Sequence, residues 1–233
     1  MRSFVFAAIF AFFTLPAMAA SGGVELDHID IDITDQASLQ RGAQTFVNYC
    51  LSCHSASFMR YNRMAKDLGL SDDQVKNNLM FASDKIGDTM TVAMRAEDAE
   101  KWFGVTPPDL SVIARARGTD WLYTYLRTFY LDDSRPMGTN NVAFKDVGMP
   151  HVLWEQQGYL AKDEHGELSV AEKGELTPHQ YDQMTYDLTN FLAYISEPSK
   201  LQRMALAKWV LLYLFIFFLV AYPLKKAFWK DVH

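Results

Sequence analysis

Cys50-Leu51-Ser52-Cys53-His54 contains both cysteines of this 233-residue chain, and its C-x-x-C-H pattern is the attachment signature of a c-type haem. Two thiols one helical turn apart can add to the two vinyl groups of a single porphyrin, while the adjoining imidazole reaches the iron from the same side. The pattern therefore assigns Cys50 and Cys53 to one covalently bound haem c, held through two thioethers, and His54 to its iron. Other uses of a cysteine pair fit less well. A thioredoxin-like redox pair wants a βαβ setting, and the flanks here read as helical. A structural zinc site needs four ligands, whereas His28, His151, His165, His179 and His233 stand apart from one another.

The ends of the chain give an address. Residues 1–20 open with Met1-Arg2, continue through an apolar run from Phe4 to Pro16 and finish on Ala17-Met18-Ala19-Ala20, the three regions of a secretory signal peptide, with cleavage expected after Ala19 or Ala20. At the other end, Trp209 to Leu224 contains no charged residue, and with Lys208 snorkelling the apolar stretch reaches the ~20 residues that one transmembrane helix requires. Lys200, Arg203 and Lys208 precede it while Lys225, Lys226 and Lys230 follow, so positive charge alone does not orient it. Export of everything before the helix breaks the tie. The expected layout is a signal peptide over 1–20, a periplasmic domain over 21–199, a membrane helix with its flank over 200–224 and a cytoplasmic tail over 225–233. That makes a single-pass protein of the bacterial inner membrane.

The exported part carries 27 acidic against 15 basic residues, a net charge of −12, while the whole chain carries −6. A field of that sign repels nucleic acid and speeds encounter with basic partners. Its roughly 180 residues suit one domain, and the local patterns are mostly helical. Asp35 or Ser38 can cap a helix whose apolar positions Leu39, Ala43, Phe46, Val47 and Cys50 share a face. Ser71 and Gln74 form a capping-box pattern. Asp109 to Arg117 reads as a short helix capped by Asp109 and stopped by Gly118, Thr119 opens another with Trp121, Leu122, Tyr125, Leu126 and Phe129 on one side, and Thr177-Pro178 begins a long one through Ile195. Residues 153–176, with a turn at Asp163–Gly166, have room for a small hairpin. The expected fold is an all-α c-type cytochrome haem domain with a single C-terminal transmembrane helix.

An iron held by His54 has a second axial position, and methionine is the ligand that raises the reduction potential there. Among eleven methionines, Met137 in Arg135-Pro136-Met137-Gly138 and Met149 in Gly148-Met149-Pro150 both lie in turn-rich stretches suited to reaching an iron. Pattern alone leaves both open.

Taken in order, Arg41-Gly42, the Cys50–His54 motif, Pro107-Pro108-Asp109-Leu110-Ser111, Arg115-Ala116-Arg117, Gly148-Met149-Pro150 and one C-terminal membrane helix resemble the cytochrome c1 family, the haem-bearing subunits of cytochrome bc1 complexes. The resemblance covers nearly the whole mature chain. It implies that Met149 is the sixth ligand, that Pro107 and Pro108 pack against the haem and that Arg117 pairs with a propionate. Trp121 and Phe46 fall where mitochondrial members carry tyrosines. It also implies an electron-transfer subunit that performs no bond chemistry itself, taking one electron from the Rieske iron-sulfur protein and passing it to a cytochrome c. Its membrane helix would pack on the cytochrome b subunit, in a complex that is dimeric across the family. The competing reading is a membrane-anchored monohaem cytochrome c that donates to a terminal oxidase or another periplasmic reductase.

Overall fold

A computed structural model of the chain describes residues 24–230. The expected signal segment over 1–20 and the last three residues of the tail lie outside that range.

Helix α1 (Gln36–Thr45) starts where the sequence places a cap, the Asp35 carboxylate accepting the Ser38 amide at 3.0 Å. It runs directly into a π-helical turn over Phe46–Cys50, closed by the Leu51 amide donating to the Phe46 carbonyl at 2.9 Å. Such turns are rare and concentrate at functional sites; this one delivers the chain to the cysteine motif. The His54 amide donates to the Cys50 carbonyl at 2.8 Å, so Cys50, Cys53 and His54 share one helical turn.

Strand β1 (Ala56–Arg60) pairs antiparallel with β2 (Thr89–Met90) across an irregular register, and between them lie α2 (Tyr61–Asp67) and α3 (Asp72–Asn78). The Ser71–Gln74 capping box is formed in both directions. Helix α4 (Ala96–Phe103) ends on Gly104, and α5 (Ile113–Arg117) and α6 (Thr119–Arg127) are separated by Gly118. Then follow β3 (Phe129–Leu131) paired with β4 (Thr139–Asn141), the single turn α7 (Trp154–Gln157), and β5 (Gly158–Lys162) paired with β6 (Leu168–Lys173). Helix α8 (Pro178–Ser196) opens with the Thr177 capping box and Pro178 in its first turn, and α9 (Lys200–Phe228) completes the chain.

The core forms where α1 packs along α8, which also receives α5 and α6. Gly42 makes that crossing possible: a Cβ there would lie 2.1 Å from the Asp187 carbonyl oxygen, so no larger residue permits the two backbones to approach this closely. Arg41 crosses at the same point, its Nε and Nη2 donating to the two Asp187 carboxylate oxygens at 2.6 and 3.0 Å. The buried Asp187 carboxylate also accepts from Ser38 Oγ at 2.7 Å and Gln183 Nε2 at 3.1 Å, which meets the hydrogen-bonding demand of a desolvated charge. Leu39, Ala43, Phe46, Val47 and Cys50, the face expected of α1, are all buried. Phe46 packs against Phe191 with ring centroids 5.6 Å apart.

The mostly helical fold is as expected, and the hairpin expected within 153–176 is the β5–β6 ribbon. Two further small ribbons, β1–β2 and β3–β4, join it. The helix expected from Asp109 begins only at Ile113. Asp109 does not cap it, because its carboxylate takes the Ser111 amide at 2.7 Å and the Ser57 amide at 3.0 Å, folding 109–112 into a turn pinned to β1. Helix α9 has 29 residues, none of them buried, which excludes a role as a core helix. At 1.5 Å per residue it is roughly 43 Å long, ample for the ~30 Å hydrocarbon layer of a bilayer.

Candidate haem-binding site

A cavity of about 420 Å³ opens between the cysteine turn, the segment 103–113, helices α6 and α8, and the loop 144–152. Cys50, Cys53 and His54 line it, and so do Pro107, Pro108, Arg117 and Met149. Met137 does not: it sits half-buried in the turn between β3 and β4. Most of the remaining wall is apolar, with Leu122, Leu126, Val152, Leu188 and Leu192 among its residues. Trp121 also lines the cavity, whereas Phe46 is committed to the α1–α8 core.

The Cys50 thiol does not resemble that of an activated redox pair. Burial pushes the Cys50 thiol up to about 12, with a smaller contribution from neighbouring Cys53, the opposite of the depressed values that make cysteines reactive toward disulfides. Among the described residues no group of three or more His, Cys, Asp or Glu side chains is placed to hold a metal ion.

His54 is set in one tautomer by its surroundings. Its Nδ1 lies 2.7 Å from the Pro108 carbonyl oxygen, and since a carbonyl can only accept, Nδ1 carries the proton. Burial holds the imidazole below its usual range, with the Pro108 bond and Asp109 opposing in part. The neutral ring keeps the Nε2 lone pair available as a metal ligand, oriented by its carbonyl partner as outer-shell groups commonly do. Pro108 is held in place in turn, because Asp109 bonds Ser57 and the Leu110 amide donates to the Ser55 carbonyl at 2.7 Å.

The Met149 loop is equally well tied. Gly148 lies close to the 103–105 segment, where a Cβ would come within 2.9 Å of Val105 Cγ1. The Met149 sulfur accepts a hydrogen bond from the Tyr125 hydroxyl at 3.3 Å, and burial raises that hydroxyl well above its ordinary pKa, so it keeps its proton. Tyr125 is stacked on Trp121 (centroids 4.9 Å apart, planes 12° apart) and meets the edge of Phe129 at 5.1 Å. The guanidinium of Arg117 lies over the rings of Trp121 and Phe144, at 5.0 and 5.5 Å from their centroids. Among the described residues no carboxylate lies within ion-pair distance of it.

An apolar slot bearing two thiols, a neutral imidazole with a free nitrogen, a thioether and a guanidinium without a carboxylate partner matches the donor set of a c-type haem. Sequence reasoning missed the Pro108 carbonyl, the Tyr125 hydroxyl and Asn141, whose contacts join segments far apart in the chain.

A profile of the Cytochrome C1 family matches residues 30–232. The chain belongs to the cytochrome c1 family. It is 49% identical to the cytochrome c1 of Allochromatium vinosum over 100% of both chains. It is also 49% identical to a Nitrosomonas europaea protein named ammonia monooxygenase gamma subunit, over 97% of each. Cytochrome c1 of Rhodospirillum rubrum is 28% identical over 93% of this chain and 92% of its own. Membership makes the chain an electron-transport protein of the respiratory chain, with haem c as the family's cofactor and an apolar C-terminal helix for membrane anchoring.

Proposed function

We propose that Cys50 and Cys53 would hold one haem c covalently and that His54 and Met149 would supply the side chains for its iron. In this reading the chain serves as the electron-transfer subunit of a respiratory cytochrome bc1 complex, taking one electron from the Rieske protein and passing it to a cytochrome c. The observation that carries the reading is one cavity lined by Cys50, Cys53, His54 and, 95 positions beyond His54, Met149. When bound, haem c supplies a one-electron ferric/ferrous couple, and the protein contributes ligation, orientation and electrostatics.

Each side chain has a separable task. Cys50 and Cys53 would fix the porphyrin, His54 would offer Nε2 while the Pro108 carbonyl accepts its Nδ1 proton, and the Met149 thioether would favour the ferrous state. Pro107 and Pro108 give a rigid apolar wall that brings no unpaired N–H to the slot. Arg117 would hold a propionate, since its guanidinium lies over two ring faces and makes no ion pair among the described residues. Helix α9 keeps the domain beside cytochrome b, with the haem domain on the periplasmic side of the inner membrane.

Met ligation gives ferric haem c a weak red absorption band, and it blocks carbon monoxide binding to the ferrous form. Both properties should survive in Met137→Leu and be lost in Met149→Leu. Rapid carbon monoxide binding to the unaltered ferrous protein would contradict the carrier reading.

A further inference from the structure

The Tyr125 hydroxyl makes one hydrogen bond among the described residues, and its acceptor is the sulfur of Met149. A thioether sulfur has two lone pairs, so it can accept this bond and still ligate a metal. Nothing about Tyr125 looks adaptable. Its ring is clamped between Trp121 and Phe129, and its carbonyl accepts from Asn141 Nδ2 at 2.7 Å. The Asn141 side-chain oxygen in turn accepts from the amides of Ala143 and Phe144 at 2.9 and 3.1 Å, at the start of the loop that leads to Met149. One buried asparagine thus ties the backbone of Tyr125 to the loop carrying the sulfur that Tyr125 touches.

We propose that Tyr125 is a positioning residue for Met149: its hydroxyl orients the thioether and withdraws electron density from it, raising the reduction potential of the haem that Met149 ligates. This rests on the reading of Met149 as the axial ligand. The direction follows from the dipole. An O–H donating to the sulfur presents its positive end to it, which would favour the state holding one more electron on an iron that the sulfur ligates.

Tyr125→Phe keeps the ring and its stacking contacts and removes only the donor. In the haem-loaded, full-length protein in detergent, an equilibrium redox titration should show the variant shifted about tenfold toward the ferric form, ~59 mV lower for a one-electron couple. The red Met-ligation band should persist at a shifted wavelength, because Met149 still ligates while its sulfur has lost a donor. A potential within twofold of the parent's equilibrium together with an unmoved band would overturn the proposal and leave Tyr125 a packing residue. Met149→Leu run alongside separates the two claims. If that variant keeps the band, the ligand reading itself fails; if it loses the band while Tyr125→Phe changes nothing, only the role of Tyr125 fails.

Discussion

The Pro108 carbonyl accepts the Nδ1 proton of His54, and a proline is suited to that post because its fixed φ limits where its own carbonyl can swing. The geometry gives the motif histidine a single usable nitrogen. Arg117, by contrast, has no carboxylate within ion-pair distance among the described residues. Arg117→Gln keeps a polar side chain but removes the charge, so the haem-loaded protein should have a changed potential or release haem at lower denaturant concentration, both measurable on purified protein. No change in either would return Arg117 to an ordinary surface role. The cysteines and His54 were legible at once because their chemistry is written in five consecutive residues. Met149 was not separable from Met137 by local pattern, since both lie in turn-rich stretches; the resemblance favoured Met149, and Met149 is the one of the two that lines the cavity beside the cysteine turn. Tyr125 read as one more apolar position on a helix face, because the partner of its hydroxyl lies 24 residues away and comes near only through the tertiary fold.

At the level of elements, the α1–α8 crossing fixes the turn that bears the cysteines. Gly42→Ala would force a methyl group into the Asp187 carbonyl, and overpacking of this kind costs about 1–3 kcal/mol, which should appear as a lowered midpoint in denaturant unfolding. Asp187→Ala removes the acceptor for Ser38 and Arg41; stranding the buried Ser38 hydroxyl should cost about 1–3 kcal/mol in the same assay. Asn141→Ala tests the other wall. It frees the loop before Met149 without touching the cavity, so cyanide should bind the ferric variant faster than the parent, with the Cys-linked haem still retained. Helix starts were readable because Asp35, Ser71 and Thr177 cap in the local way that sequence patterns record. The short ribbons β1–β2 and β3–β4 were not, since two- and three-residue strands carry no alternation long enough to see. The late start of α5 has the same kind of cause, as the Asp109 carboxylate is claimed by Ser57, 52 residues earlier.

As a whole, the chain carries an acidic segment ahead of a long apolar helix. The excess of 27 acidic over 15 basic residues between positions 21 and 199 should speed association with a basic cytochrome c, and the rate should fall as salt shortens the screening length from ~10 Å at 0.1 M to ~3 Å at 1 M. A salt-independent rate would reduce the charge to a matter of solubility. The 29-residue α9, none of whose residues is buried, needs a lipid or protein environment, and in the proposed function it would hold the preceding domain within reach of its electron donor. Membership in a bc1 complex is tested most directly by extracting the native protein from its membranes in mild detergent and following it through purification. The account predicts that it co-elutes with cytochrome b and a Rieske protein, and that quinol reduces its haem within that assembly. Elution alone, with a terminal oxidase or with an ammonia-oxidising complex, and with a haem that quinol leaves oxidised, would contradict it.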